Sequence, residues 1–219
     1  MKTALILPAY NEGAHIEAVV SGAKKYVDVV YVVDDGSKDD TIEKAKRAGA
    51  ITIKHPLNLG KAGALKTGIA AALKQNAEII IFMDSDGQHL AEDLPRFIET
   101  IESGEADIVI GGRQGGDKMP FVRNVGNRML EAATRILFGI NVRDIQSGYR
   151  AFHAKQYPKL KWRSKNYHAD AEMTVRAGKY GLKYKEIPIK TIYLDDVKGM
   201  DAIDGLKLLF NIILWRFSL

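Results

Sequence analysis

The strongest constraint on this chain is a series of short apolar runs, each of which breaks abruptly into a polar loop. Residues 3–7, 29–33, 51–54, 79–83 and 107–110 read as strands, most of them continuously apolar, as strands buried on both faces are. Between them, residues 12–26, 39–48, 62–74 and 92–103 carry apolar positions at helical spacing. This alternation predicts an α/β fold, a mostly parallel, Rossmann-like sheet flanked by helices on both faces. Right-handed crossovers put the loops that follow the strands on one edge of the sheet, where such folds bind their ligands.

The second half is less regular. Residues 123–138 and 170–180 read as helices, 147–153 as a short extended segment, 183–189 as a strand, and a last helix starts near residue 201. No linker or internal repeat divides the sequence. The expected organisation is one domain over 1–200, with halves 1–112 and 113–200, followed by an amphipathic helix over 201–219. Cysteine is absent, which excludes disulfides, thiolate metal sites and a cysteine nucleophile. The net charge of +5 suits phosphate-rich ligands or an anionic membrane surface, but it is too diffuse to argue for nucleic acid. The N-terminal apolar run is too short for a signal peptide, and no segment approaches the roughly 20 apolar residues of a membrane span. The expected location is cytoplasmic, with a peripheral place on the membrane face left open.

The loops at the strand ends carry the chemistry. In Pro8-Ala9-Tyr10-Asn11-Glu12, proline stops the ladder, Asn11 can cap the next helix and Tyr10 is free to lie against a flat ring. In residues 33–41, Ser37 or Asp39 can cap a helix, while Asp34 and Asp35 can accept hydrogen bonds from a ribose hydroxyl or a base edge. Residues 55–68 open a helix with small residues, so a ligand can approach the backbone and an anion can sit at the helix N-terminus. The P-loop spacing is missing there. If the fourth strand continues through Asp84-Ser85-Asp86-Gly87-Gln88, its two-residue period puts Asp84, Asp86 and Gln88 on one side. Oxygen-only donors suit Mg²⁺ or Mn²⁺, and so sparse a set leaves room for a substrate diphosphate. Further on, Arg113 ends a strand, and Arg123 and Arg128 begin a helix, where arginine opposes the helix dipole unless an anion is also present.

Taken in order, PAYNE, VVDDGSKDDT, NLGKAGALKTG, DSDGQ and DIQSGYRAF resemble the family 2 glycosyltransferases of GT-A fold. Within them the chain most resembles the dolichyl (polyprenyl) phosphate sugar transferases, over nearly all of residues 1–200. The resemblance implies a metal-dependent, inverting hexosyltransferase that moves a sugar from a UDP- or GDP-linked donor to a polyprenyl phosphate. It assigns Pro8, Tyr10, Glu12, Val33, Asp35, Lys61, Asp84, Ser85 and Lys198 to the nucleotide sugar. Asp86 and Gln88 would hold Mg²⁺ or Mn²⁺. Arg113, Arg123 and Asn127 would bind the acceptor phosphate, although relatives often have serine where Asn127 aligns. Asp144 and Gln146 take orienting roles, because a lipid phosphate is already anionic and needs no base. Arg150 would contact phosphate or support the structure, and Glu172 is kept as a further site member in preference to Asp170.

Asp144 as the base for a hydroxyl acceptor is the competing assignment, and a nucleotide-sugar binding protein without turnover is the non-enzyme one. Sugar nucleotidyltransferases carry a glycine-rich loop after the first strand, which this chain lacks. Phosphatases with a paired-aspartate motif place it after the first strand, not the fourth. The histidines show no metal-ligand spacing, and His55, His89, His153 and His168 read as loop or surface residues. In the last helix, Leu206, Leu209, Phe210, Ile213, Leu214 and Phe217 share one face, broadened by Leu208, Ile212 and Trp215. Packing against the domain, homo-oligomer formation and in-plane membrane anchoring are its three open roles.

Overall fold

Strand β4 (Ile79–Phe82) is Ile-Ile-Ile-Phe, fully buried, and alternate residues face opposite cores. Ile80 and Phe82 join one core, Ile79 and Ile81 the other, as the two-residue period of a strand requires. The computed structural model describes residues 1–113, 121–164, 168–190, 192 and 202–219, apart from the side chains of 121–125, 127, 202 and 203. With β1 (Thr3–Ala9), β2 (Val29–Asp34), β3 (Ile51–Lys54), β5 (Ile108–Arg113), β6 (Arg150–His153) and β7 (Tyr184–Ile189), β4 forms one seven-stranded sheet of order β3-β2-β1-β4-β6-β5-β7. Every pairing is parallel except those of β6, which runs antiparallel to both neighbours.

Helices α1 (Ile16–Ala23), α2 (Thr41–Arg47) and α4 (Leu94–Glu102) supply Ile16, Val20, Ala45, Leu94 and Phe97 to one core. Helices α3 (Lys61–Lys74), α5 (Phe121–Phe138), α7 (His168–Lys179) and α8 (Ala202–Ser218) supply Leu65, Ile69, Leu130, Met173, Leu208 and Trp215 to the other, with Leu160 from the short α6 (Tyr157–Leu160). Each fully buried leucine, isoleucine or phenylalanine contributes on the order of 1.5–3 kcal/mol.

The insertion of β6 is what builds the site. Because it runs against β4, its first residue pairs with β4's last, Arg150 with Phe82. The segment 144–150 is thereby delivered to the edge where Asp84 emerges. Nothing in the apolar periodicity announces this, since strand order is not written in local pattern.

Some elements differ from the sequence-based reading. Proline does not stop the first strand: β1 continues through Pro8 and Ala9, which pair with Val33 and Asp34. On its other side β4 has already ended at Phe82, opposite Ile6, so the N–H that proline lacks would have met no strand carbonyl. Helix α1 starts at Ile16 rather than near Glu12, and Asn11 does not cap it. Asn11 adopts φ +57° and ties this loop to the next one, its Oδ1 accepting from the Lys38 N–H and its own N–H donating to Ser37 Oγ. In α8 the packed stripe is Leu208, Ile212 and Trp215, whereas Leu206, Phe210, Ile213, Leu214 and Phe217 are exposed. Among the described residues, no helix is long and apolar enough to cross a membrane.

Candidate active site

The loops after β1, β2 and β3 are held in shape by carboxylates. Asp35, buried at the end of β2, accepts the Leu59 N–H on Oδ1 (2.9 Å), the Gly60 N–H on Oδ2 (2.7 Å) and a bond with His55 Nδ1 (2.8 Å). The amides that lead into α3, expected to receive a ligand anion, therefore receive the protein's own carboxylate. His55 spans from Asp35 to Thr67 and is buried, not a surface residue. Asp34 accepts the Ser37 N–H, and Asp39 accepts the N–H groups of Gly13 and Thr41. Val33 is fully buried in the core, paired with Pro8 on one side and Ile53 on the other. Tyr10 stands 45% exposed there, its ring available to a ligand.

The fourth loop does not extend the strand. Gly87 has φ +77°, a conformation that glycine adopts without strain, and the chain turns so that the Gln88 N–H donates to Asp86 Oδ1 (3.0 Å). The common direction expected of Asp84, Asp86 and Gln88 rested on an unbroken strand, which the structure does not have. Ser85 is buried, its hydroxyl donating to the Pro8 carbonyl (2.7 Å). It fastens the fourth loop to the first.

Asp84 turns toward a cluster of charges. Lys61 Nζ, from the first residue of α3, lies 2.5 Å from Asp84 Oδ1 and 3.3 Å from Asp170 Oδ2. His89 Nε2 lies 3.4 Å from Asp84 Oδ2, and its buried ring leans on Tyr149. Burial alone would push the Asp84 carboxyl up, but Lys61 and His89 hold it well below the usual carboxylate range. Burial would likewise lower the Lys61 ammonium, but Asp170 and Asp84 hold it above its ordinary value. Gly148 lies directly over this pair: a Cβ there would stand 2.4 Å from Asp84 Oδ2 and 2.5 Å from Lys61 Nζ.

Arg113 and Asp144 are brought together as a forked pair, Nε to Oδ2 at 2.5 Å and Nη2 to Oδ1 at 3.0 Å. Glu186 accepts the backbone N–H groups of Arg143 and Asp144 and so fixes this segment, in which Gln146 is partly exposed. Arg150 is fully buried, donating to the carbonyls of Ser147 and Ile145 and to Thr174 Oγ1, which makes it structural. Glu172, expected as a site member, is turned away from it: fully buried, it takes the N–H groups of Arg163 and Ser164 and pairs with Arg176 (2.7 Å). The acid of α7 that reaches the site is Asp170. Which of two acids two residues apart faces the sheet depends on how the helix is docked, and sequence spacing left that open. The side chains of Arg123 and Asn127, and all of Lys198, lie outside the described residues.

Glu12, Asp39, Asp84 and Asp86 gather negative charge at this edge. Burial first, then the charges of Asp86, Asp39 and Asp84, push the Glu12 carboxyl up to about 7. An oxygen-only, electron-rich edge fits a hard divalent cation. Among the described residues no three His, Cys, Asp or Glu side chains form a ready-made metal cage. A cation held by Asp86 and the Gln88 amide would therefore draw most of its shell from water and substrate phosphates.

Comparison with known proteins places the chain in one family. The family model of glycosyl transferase family 2 matches residues 4–168. A UDP-N-acetylglucosamine–dolichyl-phosphate N-acetylglucosaminyltransferase of Methanococcus voltae is 34% identical, covering 98% of this chain and 96% of that protein. An undecaprenyl-phosphate mannosyltransferase of Micrococcus luteus is 33% identical, covering 100% of this chain and 95% of that protein. The crystal structure of glucosyl-3-phosphoglycerate synthase from Mycobacterium tuberculosis, in complex with Mn²⁺, UDP-glucose and phosphoglyceric acid, superposes with a TM-score of 0.77. It is 24% identical and covers 100% of this chain and 80% of that one, a likeness of fold.

Proposed function

The chain belongs to glycosyl transferase family 2, and from that premise we propose that it moves a sugar from a nucleoside diphosphate to a polyprenyl phosphate, with inversion and with Mg²⁺ or Mn²⁺. Pro8, Tyr10, Glu12, Val33, Asp35, Lys61, Asp84, Ser85 and Lys198 receive the donor. Asp86 and Gln88 hold the cation, whose charge, when bound, offsets that of the leaving diphosphate. Arg113, Arg123 and Asn127 receive the acceptor phosphate. A phosphate oxygen attacks the anomeric carbon from the face opposite the diphosphate. The bond from that carbon to the diphosphate breaks, and its electron pair leaves with the diphosphate. An ionised phosphate has no proton to give up, so no side chain needs to act as base.

The observation that carries the acceptor class is the pairing of Asp144. Both of its oxygens are engaged by the Arg113 guanidinium, an arrangement that fixes orientation and competes with proton abstraction. The activities of the Methanococcus and Micrococcus relatives support the same class. The exposed apolar residues of α8 suit a membrane surface, where such an acceptor is met, or a second copy of the chain. A panel of UDP- and GDP-sugars with polyprenyl phosphate and Mn²⁺ or Mg²⁺ tests the proposal, with Asp86→Ala as control. Metal-dependent transfer to the lipid phosphate is the expected result. Transfer only to hydroxyl acceptors, or transfer undiminished in Asp86→Ala, overturns the acceptor or the metal assignment respectively.

A further inference from the structure

Resting on that reading, we propose that Asp170 is a positioning residue for sugar transfer, fixing Lys61 against Asp84 from the dry side of the site. Side-chain exposure rises from 4% at Asp170 through 18% at Lys61 to 30% at Asp84. Asp170 is thus the anchor, and Asp84 the end that opens to a ligand. The anchor is itself held: its Oδ1 lies 3.7 Å from Arg150 Nε, and Arg150 has no exposed surface. Thr174, one helical turn beyond Asp170, accepts from Arg150 and donates back to the Asp170 carbonyl.

The cluster pairs two carboxylates with two cations, Asp84 and Asp170 with Lys61 and Arg150. A balance of this kind is what makes burial of charge tolerable. Asp170 makes Lys61 answer to two acids that come from different parts of the chain, one at the end of β4 and one on α7. A diphosphate arriving beside Asp84 competes for the same ammonium. With Asp170 in place the lysine stays within reach of both Asp84 and the phosphates; without it, the ammonium follows whichever anion is nearer. Asp170 does not touch the donor, so its effect passes through Lys61.

A double-mutant cycle in kcat/KM for sugar transfer tests this. Asp170→Asn is expected to lower kcat/KM about 10- to 100-fold in the native background, as displaced positioning groups do. In a Lys61→Gln background the same substitution is expected to cost less than about twofold, because the group it acts through is gone. Equal losses in the two backgrounds would show a general structural role and overturn the inference. If Asp170→Asn does not fold, the cycle is run with Asp170→Glu, which keeps the charge and displaces the carboxylate. A loss confined to the Lys61 background supports the inference, and an equal loss in both, or none, overturns it. A native chain that transfers no sugar overturns the proposed function and this inference with it; native turnover with multiplying losses overturns this inference alone.

Discussion

Two sets of carboxylates share one edge of the sheet and are used in opposite ways. Around β1, β2 and β3, Asp34, Asp35 and Asp39 accept backbone N–H groups and hold loops. Where β4, β6 and α7 meet, Asp84, Asp144 and Asp170 are paired with Lys61, Arg113 and Arg150. The first set shapes the backbone of the loops after β1, β2 and β3; the second fixes the direction of cations. Asp86, which takes the Gln88 N–H of its own turn, and Glu12 stand beside both sets as further acids of the proposed site.

Breaking this division at Asp86 has the largest expected effect. Asp86→Ala should lower kcat by about a hundredfold or more, with Tm nearly unchanged, since Asp86 supports only the local turn at Gln88. Thermal melts and steady-state transfer rates check both halves. A large drop in Tm would place Asp86 among the loop-holding acids instead.

Gly148→Ala probes the cation-pairing set. The atoms its Cβ would strike are the tips of Asp84 and Lys61, which can swing aside more cheaply than backbone can. The expected result is a loss of kcat of about 10- to 100-fold with a Tm drop of only about a few degrees. Asp35→Ala probes the loop-holding set, and its largest effect should be on stability. It orphans two backbone donors and His55, costing about 2–3 kcal/mol of stability by denaturant titration.

The smallest effect is expected at Glu12. Its carboxyl is raised from 4.5 to about 7 in the folded chain. Between those values the folded state binds more protons than the unfolded one, so stability falls as pH rises through that window. Without added metal, Glu12→Gln should therefore raise Tm by about a few degrees at pH 8 and leave it unchanged at pH 4. Equal shifts at both pH values would refute the crowding of charge.

The sequence made the first half legible because strand, loop and helix alternate there with unambiguous period, and Asp84, Asp86, Lys61 and Asp35 all fall at strand or helix ends. What it hid depends on packing between distant segments. Strand β6 enters between β4 and β5 from the second half, and no periodicity states strand order. Gly87 could be seen as a break, but not where Asp84 would turn after it. Glu172 and Asp170 looked alike on one helix until docking buried one on Arg176 and brought the other to Lys61. His89, read as a loop or surface residue, is buried and folds back onto Asp84 across the turn at Gly87.

The most direct test of the central claim, that Asp144 orients rather than deprotonates, is the pH profile of transfer to polyprenyl phosphate by Asp144→Asn. Transfer should persist within about tenfold of the native rate, with an unchanged profile, because the acceptor brings its own anion. A loss on the order of a thousandfold, with disappearance of the acid limb, would make Asp144 the base and contradict the assignment of a phosphate acceptor.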